Sequence, residues 1–288
     1  MKMTGRRESQ NVDDRRGLSS SAKGGLGIGG ILIVIVIAWL TGNNPLSVLQ
    51  NVDMGQIVVN QGQTDYQPTA EEEQMATFCK QIMASTEDVW NAEFKAQGLQ
   101  YQEPTLVLFT GSVQSACGGA TSAVGPFYCS GDNSVYIDLS FLIDMRKNLG
   151  AGGDLAYAYV LAHEVGHHVQ NQLGQLQAAH NQMSKLSETE SNKISVRLEL
   201  QADYYAGLWV AREQKMFNSL EEGDIEDALG AAKVIGDDYL QKQAQGYAVP
   251  ETFNHGTSDQ RFRWLRDGIN KGSLADAKRA FSTDYDAL

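Results

Sequence analysis

The chain has 288 residues, 42% of them hydrophobic and 20% charged, which is enough for one large domain or two small ones with a buried core. Its net charge is −12, and because residues 1–23 carry +3, the rest of the chain carries −15. A main domain this acidic is repelled by phosphate backbones, so we expect no nucleic-acid partner.

By composition, the first 70 residues divide into three segments. Residues 1–23 are polar and Arg-rich, and they predict a disordered tail. Residues 24–42 include the run ILIVIVIAWL and carry no charge; as a helix these 19 residues span about 28 Å, close to the hydrocarbon thickness of a bilayer. Residues 43–70 are rich in Asn, Gln and Gly, and they predict a tether to a domain over 71–288.

The apolar segment 24–42 has three interpretations. A buried core helix is disfavoured because the run is long and near the terminus. A cleaved signal peptide is disfavoured because no small-x-small cleavage pattern follows Leu40. We therefore favour an uncleaved transmembrane signal anchor, the chain's one contact with membrane lipid. The Lys and Arg residues that precede it predict a cytoplasmic N-terminus and a domain outside the cytoplasm.

Helical and strand periodicities alternate from residue 71 onwards. Apolar residues at three- and four-residue spacing predict a helix over 71–98, and β-branched runs predict strands at TLVLF and over 134–139. Further helices are predicted over about 141–149, 155–172, 193–214, 224–243 and 274–281. The fold class is therefore α+β, a mostly helical domain with a small sheet.

Three cysteines cannot all pair within one chain. Cys117 and Cys129 belong to a Gly-, Ser- and Ala-rich loop that has little else to order it. In an oxidising compartment we expect a disulfide between them, worth roughly 2–3 kcal/mol; the alternative is two free buried thiols. Cys79 lies on the apolar face of the first helix and is expected to be a small buried hydrophobic residue.

The run AHEVGHH contains the strongest chemical motif. His163 and His167 are four residues apart, so they share one face of a helix and can bind one metal ion. Glu164 can reach a water activated by that metal and act as its base. Gly166 costs about 1 kcal/mol of helix propensity, which a closely approaching neighbour would explain.

A catalytic zinc ion usually has three protein ligands and one open position. Glu199 is the strongest candidate for the third ligand, because it shares a helix face with Asp203 and lies beside alanines that let two helices approach. Asp203 can accept the second ring N–H of one of the histidines. Taken alone, an acidic pair of this kind is more often a solvated surface.

Two further residues are candidates for the stabilisation of a reaction intermediate. His255 lies in a loop just before a helix that carries Arg261. His255 could donate to an oxyanion, and Arg261 could orient that group or hold substrate; the alternative for His255 is an ordinary loop residue. An extended substrate could add to the strand over 134–139 at a sheet edge. His180, in the polar stretch 170–192, is expected at the surface.

Sequence motifs over nearly the whole chain resemble the bacterial neutral zinc metallopeptidases of the YpfJ-like type. They are the single apolar segment and the stretches GRRESQNVDDRRG, SACGGATSAVGPFYC, VYIDLSFL, AYVLAHEVGHHVQ, ELQADYYAGLW and HGTSDQRFRW. The layout is also similar to that of gluzincins, including the membrane prenyl-protein and heat-shock proteases. The resemblance implies a zincin-like, minimal gluzincin domain.

Specific roles follow from the gluzincin resemblance. It implies that His163, His167 and Glu199 bind Zn²⁺, that Glu164 is the base, and that Asp203 supports a ligand. It also implies that His255 and Arg261 form a stabilising pair. One departure from the membrane proteases is Gly256, where they have Pro after the histidine.

The combined expectation is a single-pass protein of the bacterial inner membrane, with a zinc metallopeptidase domain outside the cytoplasm. Its partners would be a peptide or protein substrate and membrane lipid. The alternative is a non-catalytic, metal-binding envelope protein that serves as a scaffold or binds peptides.

Overall fold

The structure is a computed structural model that describes residues 1–17 and 66–288. The predicted anchor at 24–42 and most of the predicted tether at 43–70 lie outside the described residues. Within the described part of the chain, none of the helices combines the length and apolarity that crossing a bilayer requires.

Helices make up most of the described chain, as expected for the α+β class. They are α1 (Ala70–Ala96), α2 (Leu139–Leu149), α3 (Asp154–Gln172), α4 (Gln175–Met183), α5 (Glu188–Phe217), α6 (Asp224–Val234), α7 (Asp237–Gln245), α8 (Ser258–Lys271) and α9 (Arg279–Ser282). The strands are β1 (Val12–Asp14), β2 (Thr105–Phe109), β3 (Ser112–Ser115), β4 (Gly118–Thr121), β5 (Phe127–Cys129) and β6 (Ser134–Asp138).

The main sheet has the strand order β1-β2-β6-β5, and β3 pairs with β4 in a separate hairpin. The strands β1, β2 and β6 are parallel, whereas β5 runs antiparallel to β6. The expectation that substrate adds to the strand over 134–139 is wrong, because β6 already has β2 on one side and β5 on the other. Among the described strands, β5 is the edge on that side.

The expectation of a disordered tail over residues 1–23 is wrong for residues 1–17. The strand β1 pairs with β2, with Val12 opposite Leu106. Met1 and Met3 are buried in the main hydrophobic core. Arg6 contacts Glu213 at 2.7 Å, across 207 residues of sequence. Composition alone could not show these contacts, because the partners of the polar residues lie in distant parts of the chain.

A close crossing of α3 over α5 positions the candidate site. A Cβ on Gly166 would lie 2.9 Å from the carbonyl oxygen of Ala202 and 3.1 Å from its Cα. The prediction that a close neighbour explains Gly166 is therefore confirmed. This contact brings the HEVGH face of α3 against the face of α5 that carries Glu199 and Asp203.

The prediction of one continuous helix over 224–243 is wrong in one respect, because the structure divides this range into α6 and α7. Gly236 lies at the break, and a Cβ there would lie 2.3 Å from the backbone nitrogen of Ser258. The backbone of the α8 start therefore packs directly on Gly236. The break places Asp237 at the first residue of α7, next to the loop that holds His255.

The disulfide prediction is confirmed. Cys117 and Cys129 are bonded, with their Cα atoms 5.8 Å apart, and they join the β3–β4 hairpin to the end of β5. Cys79 is fully buried, as expected.

Candidate metal centre

Three side chains from α3 and α5 converge on one point. One ligand atom from each of His163, His167 and Glu199 lies within 4.8 Å of the other two. Nε2 of His163 is 3.1 Å from Oε2 of Glu199, and Nε2 of His167 is 3.4 Å from Oε1 of the same carboxylate. Two imidazole nitrogens and a carboxylate are the donor set of a His₂Glu catalytic zinc site, so these residues fit the ion.

The far nitrogen of each histidine is held by the protein. Nδ1 of His163 is 2.8 Å from Oδ1 of Asp203, which the sequence predicts, and Nδ1 of His167 is 2.9 Å from Oε1 of Gln170. Gln170 in turn donates from Nε2 to the carbonyl of Leu198 at 2.7 Å. With both Nδ1 atoms donating, loss of the Nε2 proton from each ring leaves a lone pair that points at the donor cluster. The sequence signal for Gln170 is its place one helical turn after His167.

Asp203 is the centre of a buried polar network. It accepts hydrogen bonds from the Tyr159 hydroxyl at 2.6 Å and from Nε and Nη2 of Arg261 at 2.9 and 3.0 Å. Burial alone would raise the pKa of Asp203, but Arg261 and His163 lower it to about 2. The carboxylate is therefore ionised and fixes the His163 ring, as metal-site supporting groups do.

Arg261 does not form the predicted pair with His255. Its side chain is buried, and its guanidinium binds Asp203 through two nitrogens. The residue that holds His255 is Asp237, whose Oδ1 is 3.1 Å from Nδ1. Arg261 is therefore a supporting residue, as the sequence predicts, but the group that it supports is Asp203 and not His255.

The sequence does not single out Asp237, because this residue falls in the interior of the helix predicted over 224–243. Its Oδ2 accepts backbone N–H bonds from Asn254, His255 and Gly256 at 2.9, 2.7 and 3.0 Å. Burial lowers the pKa of His255, but the Asp237 carboxylate raises it above its ordinary value. Gly256 has φ +99°, which Pro cannot adopt, so a proline at this position would require a different loop conformation.

Glu164 is buried at the wall of the same cleft. Burial raises its pKa, while the neighbouring His163 and His167 act in the opposite direction. A carboxylate with a raised pKa is a better proton acceptor than one in water. Zinc bound between the histidines would add a further charge beside it.

The candidate ligands and Glu164 line a cleft of about 600 Å³. Its polar wall also includes His255 and Arg261. Its apolar wall includes side chains from α2, α3, α4, α7 and β5, among them Phe127, Phe141, Val160, Leu176 and Leu240. His180 is exposed, as expected, and it also lines this cleft.

His168 is excluded from the donor cluster by its orientation. Its Nε2 donates to the carbonyl of Gln102 at 2.6 Å, and its Nδ1 accepts from the Tyr128 hydroxyl at 2.9 Å. Burial lowers its pKa to about 4, so the ring is neutral. Its neutral ring links α3 to β5 and to the segment before β2.

Comparison with known proteins agrees with this geometry. The family model described as "Putative neutral zinc metallopeptidase" matches residues 1–280. The uncharacterized protein YpfJ of Escherichia coli K12 is 44% identical over 287 residues, which cover 96% of this chain and 97% of YpfJ. The uncharacterized protein Rv2575 of Mycobacterium tuberculosis H37Rv is 42% identical over 182 residues, or 60% of each chain. No solved structure matches the chain. The chain therefore belongs to this family of neutral zinc metallopeptidases, for which Zn²⁺ is the cofactor.

Proposed function

We propose that the protein is a zinc-dependent peptidase that hydrolyses peptide bonds. The observation that carries the proposal is the meeting of His163, His167 and Glu199 at one point, with Glu164 beside them in an open cleft. Metallopeptidases of the His₂Glu type need this donor set and a neighbouring base. The crossing of α3 and α5 supports a minimal gluzincin arrangement.

Zinc held by His163, His167 and Glu199 would supply the Lewis acidity that polarises a peptide carbonyl and acidifies a water molecule. Glu164 takes the proton of that water and later delivers it to the nitrogen of the leaving amine. Its buried position beside the cleft supports the first transfer, because burial raises its pKa and a raised pKa favours proton uptake.

His255 stabilises the negative charge that develops on the carbonyl oxygen. Its Nδ1 is tied to Asp237, so its Nε2 is the nitrogen free to donate within the cleft. The three backbone N–H bonds to Asp237 fix the loop, so the donor is positioned before substrate arrives.

The substrate is an extended peptide or protein segment. Among the described strands, β5 pairs only with β6, and its residues Phe127 and Tyr128 line the cleft. An extended chain that pairs with this edge would place its carbonyl groups beside the metal centre. The edge at β5 replaces the edge expected over 134–139.

We further propose that the domain works outside the cytoplasm of a bacterium and is attached to the inner membrane through residues 24–42. The Cys117–Cys129 disulfide supports this location, because such bonds persist in oxidising compartments. The division into an apolar attachment at 24–42, a tether from 43 and a catalytic domain to residue 288 belongs to the same proposal.

The test is a comparison of the purified full-length parent with Glu164→Gln and with the matched control Glu222→Gln, whose carboxylate is exposed. We expect one zinc per chain in all three, cleavage of unfolded casein by the parent and the control, and none by Glu164→Gln. Equal cleavage by Glu164→Gln would contradict the mechanism.

The same samples, with His255→Ala as a fourth, distinguish the peptidase from the alternative of a non-catalytic metal-binding scaffold. A scaffold would bind zinc and cleave no substrate in any of the three proteins. His255 would then be a fourth ligand, and its replacement by Ala would release zinc. In the peptidase, His255→Ala keeps the zinc and lowers the cleavage rate.

A further inference from the structure

The residues on either side of the undescribed segment 18–65 belong to one folded body. In the main sheet, β1 pairs in parallel with β2, with Asp13 opposite Val107 and Asp14 opposite Leu108. The backbone contact continues past the strand, because the N–H of Arg15 donates to the carbonyl of Leu108 at 2.8 Å. Residues 1–17 are therefore a structural part of the domain.

Contacts with buried charges tie this N-terminal arm, defined as residues 1–17, to the rest of the domain. Arg6 contacts the fully buried carboxylate of Glu213 at 2.7 Å. Arg7 contacts the buried Glu87 at 2.9 Å, and Asn11 donates to the same carboxylate at 3.1 Å. Removal of the arm would leave two buried carboxylates without their cations, at a large cost in folding free energy.

The arm also ends where the rest of the domain begins. A Cβ on Gly17 would lie 2.6 Å from Cβ of Tyr66, so the two residues are in contact. The two described residues that flank the segment 18–65 therefore lie next to each other in the domain.

A single membrane crossing within 18–65 conflicts with this arrangement. It would place residues 1–17 and 66–288 on opposite sides of a hydrocarbon layer about 30 Å thick. The strand β1 would have to leave the sheet, and Glu213 and Glu87 would lose Arg6 and Arg7. Yet the stretch between Lys23 and Asp53 carries no charge, which suits contact with lipid.

We infer that residues 1–17 and 66–288 lie on the same side of any membrane that residues 24–42 enter. A single crossing between the arm and the domain would separate β1 from β2, which the pairing of these strands opposes. This inference does not depend on the proposed peptidase activity.

The basic residues of the arm do not oppose this inference. Four of the six Lys and Arg residues before the apolar stretch have carboxylate partners in the structure, and these pairs are Arg6–Glu213, Arg7–Asp88, Arg15–Asp13 and Arg16–Asp14. Their presence is explained by folding, so they do not specify a cytoplasmic N-terminus. Among the described Lys and Arg residues before the stretch, Lys2 is left without such a pair, and a single basic residue is a weak topological signal.

The test is labelling of two single-cysteine additions in the full-length protein, Gln10→Cys in the arm and Ala178→Cys in α4, both at exposed positions. Spheroplasts are treated with a membrane-impermeant maleimide before and after permeabilisation. The parent is the background control, because Cys79 is buried and the other two cysteines are bonded. We expect the two positions to behave alike, either both labelled or both protected before permeabilisation.

Labelling of one position and protection of the other before permeabilisation would overturn the inference. If both are protected, the shared side is supported and the proposed extracytoplasmic location is wrong. Activity is not measured, so failure here is separate from failure of the proposed function.

A second measurement tests whether the arm is docked in cells. Glu8 in the arm and Lys80 in α1 are 4.0 Å apart at their side-chain atoms and both reach the surface. A double Cys substitution at these positions should be bridged within one chain by a short bis-maleimide in the membrane fraction. Bridging in the purified protein but not in membranes would contradict the inference.

Discussion

The metal centre and the N-terminal arm both place charged side chains in buried positions, but they do so with different sequence signatures. In the metal centre the paired residues lie four apart on two helices, His163 with His167 and Glu199 with Asp203. In the arm the partners are separated by 80 residues for Arg7 and Glu87 and by 207 for Arg6 and Glu213. Helical spacing in the sequence predicts the metal centre directly, whereas the polar, Arg-rich composition of the arm is typical of a disordered tail.

The largest expected effect is in the arm. Arg6→Ala leaves Glu213 buried without its cation, and we expect a loss of about 3–5 kcal/mol in the free energy of unfolding. Arg15→Ala is the matched control, because its partner Asp13 is about half exposed. That change should cost about 0–1 kcal/mol. Denaturant unfolding of both variants measures the difference, and equal costs would show that the arm does not contribute to folding.

The next effect concerns catalysis at the metal centre. His255→Ala should lower kcat by about 10²–10³-fold with little change in zinc content, because it removes a donor to the developing oxyanion. Asp237→Asn should lower kcat in the same direction and by less, since the backbone N–H bonds still hold the loop. Steady-state kinetics with zinc analysis checks both. A change confined to KM would assign His255 to substrate binding alone.

A smaller effect is expected at the crossing of α3 and α5. Gly166→Ala places a methyl group 2.9 Å from the carbonyl of Ala202, and the resulting separation of the helices should cost about 1–3 kcal/mol. Gly230→Ala in α6 is the control, because nothing lies within 4 Å of its added Cβ. We expect it to be neutral or slightly stabilising. Thermal unfolding and zinc titration of both variants separate the effect of the close contact between α3 and α5 from the effect of helix propensity.

The smallest effect is a dependence of zinc affinity on pH. Burial lowers the pKa of His163, but the Asp203 carboxylate raises it to about 10 in the absence of metal. Protons therefore compete with zinc for His163 at pH values above the ordinary His pKa of about 6.5. The zinc Kd should rise as the pH falls toward that pKa. A Kd independent of pH above that value would contradict this competition.

Prediction from the sequence succeeds where a local rule fixes the geometry. The spacing of His163 and His167, the small residue at Ala202 and the β-branched run of β2 determine their structures within a few residues. Gly166 is also predictable, because a costly helix glycine needs a close neighbour.

Prediction fails where a distant partner decides. Asp237 reads as part of one helix over 224–243, and only the backbone of Ser258 against Gly236 reveals the break. Arg261 reads as a partner of His255, although Asp203 binds it instead. The prediction of a disordered tail fails for the same reason, since Arg6 and Arg7 are paired with carboxylates far along the chain.

Zinc coordination tests the proposed function most directly. X-ray absorption at the zinc edge, recorded on the zinc-loaded parent and on His255→Ala, counts the protein ligands of the ion. We predict the same first shell in both proteins, two imidazoles and one carboxylate with an exchangeable position left open. A third imidazole in the parent that disappears in His255→Ala would show a closed site and would contradict the peptidase.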